Sequence, residues 1–259
     1  MLKLSAVILT FNEERNIERC LKSVLDVVDE IVVIDSFSQD KTKAICEQYA
    51  VKFVEHKFEG HIQQKNWGIT QATNPYILSL DADEALSPEL KEKILNVKKN
   101  WEADGYAFNR LTNYCGQWIK HCGWYPDRQL RLWDSRKGEW QGENPHDRFV
   151  MNPGCIVKRL PGNLLHHSFY SIEDHMKTMD FFTTISAKIR FEQGKKPSFV
   201  QLLLGPIYKF FRSYILKGGI LDGLLGFIIC MNSAHSNFLR EAKLFRLWHD
   251  KKNKKQSGT

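Results

Sequence analysis

Hydrophobic and polar positions follow two alternating periods over the first hundred residues. Short apolar runs rich in β-branched residues predict buried strands at 4–10, 30–35, 51–56 and 76–81. Between the first two runs, Ile17, Leu21 and Val24 fall on one face at helical spacing. Strands that alternate with helices through short links indicate an α/β fold, with a Rossmann-like, mostly parallel sheet and flanking helices.

Three of the predicted strands end in polar residues. These ends are Thr10–Glu14, Asp35–Ser38 and Asp81–Asp83. Ligands of parallel sheets bind beyond the carboxyl ends of the strands, so the three ends are expected to converge on one edge. Each end taken alone also fits helix capping or turn chemistry. The chain contains neither G-x-G-x-x-G nor G-x-x-x-x-G-K-[ST], which disfavours a dinucleotide cradle or a P-loop.

Residues 100–170 lose this regular pattern and become crowded with aromatic, glycine and charged residues. Aromatic faces beside carboxylates and arginines suit sugar stacking and hydroxyl recognition. The same composition equally suits a loop-rich β-region whose aromatic side chains form the core. The pattern alone leaves both interpretations open.

From Pro197 the chain becomes apolar again, interrupted by Lys209, Arg212, Lys217 and Asp222. No uninterrupted run approaches the roughly 18–20 residues needed to span a bilayer. The segment therefore predicts either amphipathic helices lying in a membrane interface or a helical appendage packed on the main domain. We expect a catalytic domain at 1–195 and a basic helical segment at 196–259.

Charge and cysteine usage narrow the class of protein. The net charge is +7. From Arg240 onward the chain has seven basic and two acidic residues, which favours an anionic surface as partner. Six scattered cysteines without a C-x-x-C pair fit a reducing compartment. The N-terminus shows no signal-peptide pattern, so a cytoplasmic protein is expected. No recognised nucleic-acid motif accompanies the basic tail, so no nucleic-acid partner is expected.

Several stretches of the chain together resemble a known family. The chain is similar to family 2 glycosyltransferases with the GT-A fold, in particular to bacterial enzymes of lipopolysaccharide core assembly of the heptose glucosyltransferase type. The stretches that carry the resemblance are LSAVILTFNEERNIERCLKSV, DEIVVIDSFSQDKT, QQKNWGITQA, ILSLDADE, GWYPDRQLRLW, PHDRF, LLHHSFYS and YILKGGILDGLLGF. They follow the family's order over nearly the whole chain.

The resemblance implies an inverting transferase that moves a sugar from a nucleoside-diphosphate donor, UDP-linked, to a lipopolysaccharide core or other envelope glycan. It also implies a nucleotide-sugar site in which Asp35 binds the nucleobase, Lys65 approaches the phosphates and Asp81 faces the ribose and sugar. The further residues implied at this site are Thr10, Phe11 and Glu14. The enzyme would act on a lipid-linked or core saccharide as a peripheral protein on the inner face of the cytoplasmic membrane.

The same resemblance implies a divalent cation, Mg²⁺ or Mn²⁺, bound by Asp83 and by His166. An oxygen-ligated cation can neutralise the charge that develops on a diphosphate leaving group. The alternative for His166 is a surface pair with His167 that binds no metal.

The base that takes the proton from the acceptor hydroxyl has two candidates. Asp147 stands in PHDRF where the family usually has glutamate, and Asp127 stands in GWYPDRQLRLW with Arg128 or Arg131 orienting the acceptor. Asp147 is the preferred candidate. Phe37 stands where the family commonly has a glycine or other small residue, which predicts an altered rim of the donor pocket.

Two other functions stay open at this stage. One is a glycosyltransferase whose acceptor is a capsule, a lipid carrier or a protein. The other belongs to a different class, a non-catalytic protein that binds a nucleotide-sugar or a nucleic acid.

Overall fold

The computed structural model describes residues 2–143 and 146–256 and divides them into two compact units. The first, the sheet unit, comprises residues 2–112 and 126–168. The second, the helical unit, comprises residues 113–125 and 169–256. The predicted boundary after residue 195 stays a prediction; in the structure, residues 169–195 group with the C-terminal helices.

The strands and helices follow one another in the predicted alternation over the first hundred residues. The strands are β1 Leu4–Thr10, β2 Glu30–Asp35, β3 Lys52–Glu55, β4 Tyr76–Asp81, β5 Glu84–Leu86, β6 Gly105–Tyr114, β7 Gln117–Trp118, β8 Asp127–Asp134, β9 Gly138–Glu143, β10 His146–Met151 and β11 Val157–Phe169. The helices are α1 Ile17–Val24, α2 Thr42–Cys46, α3 His61–Thr70, α4 Pro88–Lys99, α5 Ile172–Glu192, α6 Phe199–Phe211 and α7 Gly223–Gln256.

The main sheet has the order β3-β2-β1-β4-β8-β6-β11-β5, with β7 paired to β6. Strands β3, β2, β1 and β4 are parallel, and β8 joins β4 in the antiparallel sense. The α/β prediction with flanking helices is confirmed. The irregular region after residue 100 supplies the antiparallel half of the sheet, and its strands β9 and β10 form a separate hairpin.

Strands β1, β2 and β4 are buried on both faces, which explains their continuous apolar runs, whereas β3 lies at the edge of the sheet and is partly exposed. Ala6 and Ile8 of β1 pack into one core with α1, whereas Val7 faces the opposite core with Ile34 of β2. Helix α3 covers this second face closely because Gly68 meets the sheet. A Cβ at Gly68 would lie 3.1 Å from Ile34 Cγ1 and 3.2 Å from Val7 Cγ1.

The helical unit is built by packing α5 and α6 on the long helix α7. A π turn, Arg212–Leu216, and a 3₁₀ turn, Gly219–Asp222, connect α6 to α7. Asp222 is buried and fixes the 120–122 loop, because its carboxylate accepts from the His121 backbone N–H at 2.8 Å and lies 2.9 Å from His121 Nδ1.

Across the described residues, no single helix is both long and apolar enough to cross a membrane. One bent pair, Phe199–Leu216 with Gly219–Asn253, meets the length and composition criteria when its two parts are taken together, and its parts are bent by 72°.

Candidate active site

The parallel register brings the three polar strand ends together. Thr10 is paired with Asp35 across β1 and β2, and Leu9 with Asp81 across β1 and β4. The three strands therefore finish side by side, and their side chains meet at the carboxyl edge, where ligands of such sheets bind.

Asp35 lies buried at this edge, with 1% of its surface exposed. Its carboxylate accepts from the Ser38 backbone N–H at 2.7 Å and from the Ser38 hydroxyl. The Thr10 hydroxyl is buried beside it without a hydrogen-bond partner among the described residues. A buried hydroxyl without a partner leaves a polar position that a ligand can satisfy.

Two exposed phenylalanines flank this edge. Phe11 is 55% exposed and Phe37 is 50% exposed, which leaves aromatic faces free for stacking on a planar group. Phe37 has φ +64°, in the left-handed region that favours glycine, so its backbone is strained at the position where the family has a small residue.

Glu14 is placed differently from Glu13. Glu14 is exposed and joins two loops: its carboxylate accepts from the Lys41 backbone N–H at 3.0 Å, and its own N–H donates to Asp40 at 3.0 Å. Burial raises the pKa of Glu13 to about 7, and the charges of Asp83, Asp40 and Asp81 add to the rise, against the hydrogen bond from Asn16. Glu13 thus senses the charges of Asp81 and Asp83.

Lys65 projects from α3 into a cluster of acidic and aromatic side chains. It is 6% exposed, and its Nζ lies 2.6 Å from Asp147 Oδ2 and 3.7 Å from Asp81 Oδ1. The same ammonium group lies 4.3 Å from the centre of the Trp140 ring, a cation–π distance. Lys65 therefore links Asp81 to the candidate base Asp147.

The β9–β10 hairpin is held against α3 by a reciprocal pair of hydrogen bonds. Asn66 donates its amide to the Trp140 carbonyl at 2.9 Å, and the Trp140 N–H donates to Asn66 Oδ1 at 2.9 Å. This pairing sets Asp147, on β10, beside Lys65. His146, the neighbour of Asp147 in PHDRF, belongs to β10, but its side chain lies outside the described part of the structure.

Two cations, Lys65 and Arg131, keep Asp81 ionised at the end of β4. Arg131 Nη2 donates to Asp81 Oδ2 at 2.8 Å and to Glu84 Oε1 at 2.9 Å. Burial alone would raise the pKa of Asp81, but the charges of Lys65 and Arg131 and the hydrogen bond from Arg131 hold it well below its usual range. Asp81 is a permanent anion in this site at neutral pH.

Arg131 and Glu84 form a buried pair beneath Asp81. Arg131 is 3% exposed and Glu84 is 1% exposed. Glu84 Oε2 also accepts from the Asp81 backbone N–H at 3.0 Å, so it positions the strand end as well as the arginine. The Nε and Nη1 groups of Arg131 are buried without an acceptor among the described residues, which leaves both groups, with three N–H bonds between them, as donors for a ligand.

Asp127 is paired with Arg110 at the start of β8. Arg110 Nε donates to Asp127 Oδ2 at 2.9 Å, and Gln129 donates its amide to Asp127 Oδ1 at 2.8 Å. Arg110 Nη1 lies 3.4 Å from Glu84 Oε1. The two base candidates are therefore both ion-paired, Asp147 to Lys65 and Asp127 to Arg110.

Asp83 and His166 are brought together by the pairing of β5 with β11. His166 is opposite Glu84 in this antiparallel register, and His166 Nε2 lies 3.0 Å from Asp83 Oδ2. Burial alone would lower the pKa of His166, but the charge of Asp83 and their hydrogen bond raise it above its ordinary value. Within residues 2–143 and 146–256, no group of three or more His, Cys, Asp or Glu residues could hold a metal ion.

Several members of this site have no role that the sequence predicts, namely Glu13, Glu84, Arg110 and Trp140. For Arg131 the sequence predicts only a role in orienting the acceptor. Glu84 directly follows the D-x-D pair in ILSLDADE, and Arg131 lies in QLRLW, so both stand within quoted motifs. The pattern gives no sign that they pair with each other.

Comparison with known proteins bears on the fold and the family. The family model for glycosyl transferase family 2 matches residues 5–159. A glycosyltransferase of Rickettsia bellii described as uncharacterized is 31% identical, over 95% of this chain and 87% of its own. The lipopolysaccharide core biosynthesis glycosyltransferase LpsC of Rhizobium meliloti is 29% identical, over 95% of this chain and 93% of its own.

One solved structure shows the same fold. It is a mannosyltransferase from Pyrobaculum calidifontis in complex with GDP-Man and Mn²⁺, with a TM-score of 0.55 and 13% identity over 95% of this chain and 87% of that one. This likeness shows the GT-A fold, and the family match together with the glycosyltransferase relatives establishes a transferase activity. The chain belongs to glycosyl transferase family 2.

Proposed function

We propose that this enzyme is an inverting, metal-dependent transferase that moves a sugar from a UDP-sugar to a lipopolysaccharide core or another envelope glycan. The observation that carries the proposal is the convergence of Asp35, Asp81 and Asp83 at the carboxyl edge of β1, β2 and β4. One of these carboxylates is held ionised, and another has an imidazole partner.

The residues of the donor site are assigned from the family resemblance, and the buried Thr10 hydroxyl, which has no partner among the described residues, supports the assignment. Asp35 receives the nucleobase, with Thr10 and Phe11 lining the same pocket and Glu14 joining its two loops. Asp81 faces the ribose and sugar, and Lys65 approaches the diphosphate. The Nε and Nη1 groups of Arg131, which lack acceptors among the described residues, supply further donors for ligand oxygens. The UDP identity rests on the resemblance; the mannosyltransferase with the same fold is in complex with GDP-Man.

The Asp83–His166 pair fits a divalent cation that completes its coordination with the donor diphosphate. Asp83 would hold the ion through a carboxylate oxygen and His166 through its imidazole Nε2, which lies 3.0 Å from that carboxylate. When bound, Mg²⁺ or Mn²⁺ would neutralise the charge on the leaving diphosphate.

The transfer step requires one base. The acceptor hydroxyl oxygen attacks the anomeric carbon, the bond to the diphosphate oxygen breaks, and the hydroxyl proton passes to a carboxylate. Asp147 is the preferred base because it shares Lys65 with Asp81, the residue assigned to the sugar. Asp127 is the second candidate.

The proposed acceptor is lipid-linked. LpsC, one of the full-length relatives, is described as a lipopolysaccharide core biosynthesis enzyme. The helical unit presents an exposed apolar face on α6 and the start of α7, including Leu204, Ile207 and Leu224. A helix face of this kind can lie in a membrane interface. We therefore place the enzyme peripherally, at the cytoplasmic face of the inner membrane.

The test is calorimetric titration of a panel of nucleotide-sugars, with and without Mn²⁺, on the wild-type enzyme and on Asp83→Ala. We expect one UDP-sugar to bind in a metal-dependent manner, and Asp83→Ala to lose the metal-dependent part of the affinity. Asp26→Ala, which removes an exposed carboxylate elsewhere in the sheet unit, is the matched control. Binding by Asp83→Ala that Mn²⁺ still strengthens would remove Asp83 from the metal site.

A further inference from the structure

A basic pocket lies in the helical unit, and none of the residues assigned to transfer lines it. Its volume is about 630 Å³. Its walls combine four basic side chains, Lys196, His249, Lys251 and Lys252, with the aromatic rings of Phe245 and Trp248. Among the described residues, no aspartate or glutamate lines it. The nearest acidic residue in sequence, Asp250, lies 3.7 Å from His249 and 3.8 Å from Arg246.

The aromatic wall of this pocket is fixed by its own contacts. Trp248 donates its indole N–H to the Lys195 carbonyl at 2.9 Å, which ties α7 to the chain just before α6. Lys251 Nζ lies 5.1 Å from the Trp248 ring centre and 5.3 Å from that of Phe191. The basic groups are therefore arranged around a held ring, and the pocket is a formed feature of the fold.

The pocket adjoins the exposed apolar face at the N-terminal end of α6. Phe245, in the pocket wall, makes an edge contact with the Phe199 ring at 4.8 Å. Phe199 itself is 65% exposed, and Leu203, one turn further along α6, is 63% exposed. Cationic groups and a large apolar surface are thus continuous with each other in one unit.

We propose that this pocket binds the phosphate headgroup of an anionic membrane phospholipid while the apolar face of α6 lies among the acyl chains. An amphiphile with a negative head and apolar tails complements both parts, and a pocket of this size accommodates a phosphoglycerol group. The proposal rests on the peripheral membrane placement proposed above and names the lipid chemistry that the helical unit recognises.

The experiment measures flotation of the full chain with vesicles of phosphatidylcholine, with or without phosphatidylglycerol. The pocket variant is Lys196→Gln with Lys252→Gln, and the control is Lys57→Gln with Lys99→Gln; all four lysines are exposed, and both pairs remove two charges. We expect the pocket variant to bind phosphatidylglycerol vesicles roughly tenfold to thirtyfold more weakly, because each basic residue near an anionic surface contributes up to about fivefold. The control variant is expected to change by less than threefold.

Three outcomes would overturn the proposal. Equal losses of vesicle binding in the pocket variant and the control variant would show that net charge alone causes the effect. If the wild type binds vesicles equally well with and without phosphatidylglycerol, the apolar face alone accounts for the binding. Displacement of the protein from vesicles by low concentrations of soluble glycerol phosphate would identify a free phosphate compound as the ligand. None of these readouts needs turnover: Asp83→Ala is expected to float as the wild type does, so a failed transferase assignment is distinguished from a failed lipid assignment.

Discussion

Arg131 donates hydrogen bonds to two carboxylates at the end of β4. It donates to Asp81, which is 34% exposed at its side chain, and to Glu84, whose side chain is fully buried. Replacing a buried charge partner leaves the other charge uncompensated, and this cost exceeds the net value of the pair. Glu84 therefore acts as a positioning residue: it holds the arginine that keeps Asp81 ionised.

Glu84→Gln tests this role. We expect a loss of about 3 kcal/mol in the free energy of unfolding, because Arg131 and Arg110 lose the charge they share. We also expect weaker binding of the donor, since Arg131 is then free to leave Asp81. Chemical denaturation and calorimetry measure the two effects. Glu89→Gln, on the exposed first turn of α4, is the control. Reduced stability with unchanged donor affinity would assign Glu84 to packing alone.

A second prediction at this scale concerns pH. Burial lowers the pKa of His175 to about 4, in a site where its Nδ1 lies 3.1 Å from the Tyr114 hydroxyl. In the unfolded chain this histidine binds a proton once the pH falls below its ordinary pKa of 6.5. In the folded chain it binds a proton only when the pH falls to about 4. The histidine therefore makes the fold more stable as pH rises from 4 to 6.5, and this contribution is lost as pH falls.

His175→Gln is expected to flatten the pH dependence of unfolding across this window by on the order of 1–2 kcal/mol, measured by denaturant titration at pH 4.5 and pH 7. His61→Gln, which removes an exposed histidine at the start of α3, should leave the slope as it is in the wild type. An unchanged slope in His175→Gln would show that the histidine stays protonated when the chain folds.

At the scale of elements, the β9–β10 hairpin carries one of the two candidate bases, Asp147. The hairpin is fastened to α3 through Asn66 and Trp140, so Asp147 and Lys65 form one structural group. Asp127 belongs instead to the paired interior strands β6 and β8, where Arg110 holds it. The two candidate bases are thus carried by different elements.

This separation makes the base testable by a pair of matched variants. Asp147→Asn is expected to keep donor affinity within a few-fold and to lower kcat by roughly 10²–10⁴, the usual value of general-base catalysis. Asp127→Asn is expected to leave kcat within about tenfold. Steady-state kinetics with donor and acceptor varied separately measures both. The reverse ranking of the two variants would assign the base to Asp127.

At the scale of the whole molecule, the chain carries its active site and its exposed apolar face in different units. Residues 113–125 pack with the C-terminal helices, as in the contact of His121 with Asp222, so cutting the chain near Pro197 would strip a shared core. Point substitutions on the apolar face test membrane binding without that damage.

The double variant Leu204→Ser with Ile207→Ser is expected to bind membranes more weakly than the wild type. These side chains are 59% and 54% exposed, so their removal costs the fold little. We expect vesicle partitioning to weaken by on the order of 1 kcal/mol for each, on neutral and anionic vesicles alike. Ile156→Ser with Val157→Ser, exposed in the sheet unit, is the control. Unchanged flotation of the α6 variant would show that this face does not enter the membrane.

The sequence alone determined the parallel half of the sheet and the edge at which the site lies. Period-two and helical patterns are local, so β1, β2 and β4 and their polar ends could be read along the chain. The metal candidates Asp83 and His166 came from the resemblance, and the register of β5 with β11 places them 3.0 Å apart.

The tertiary structure alone decided which charges meet. Arg131 pairs with Glu84, and Lys65 with Asp147, through antiparallel registers and hairpin docking that join residues far apart in the sequence. Only the fold separates Glu13 from Glu14, because burial and neighbouring carboxylates raise the pKa of one while the other stays exposed. The basic pocket likewise exists only where the start of α6 meets α7. Hydrophobic periodicity specifies which face of a helix or strand is buried. Long-range packing specifies which polar side chains are buried next to each other.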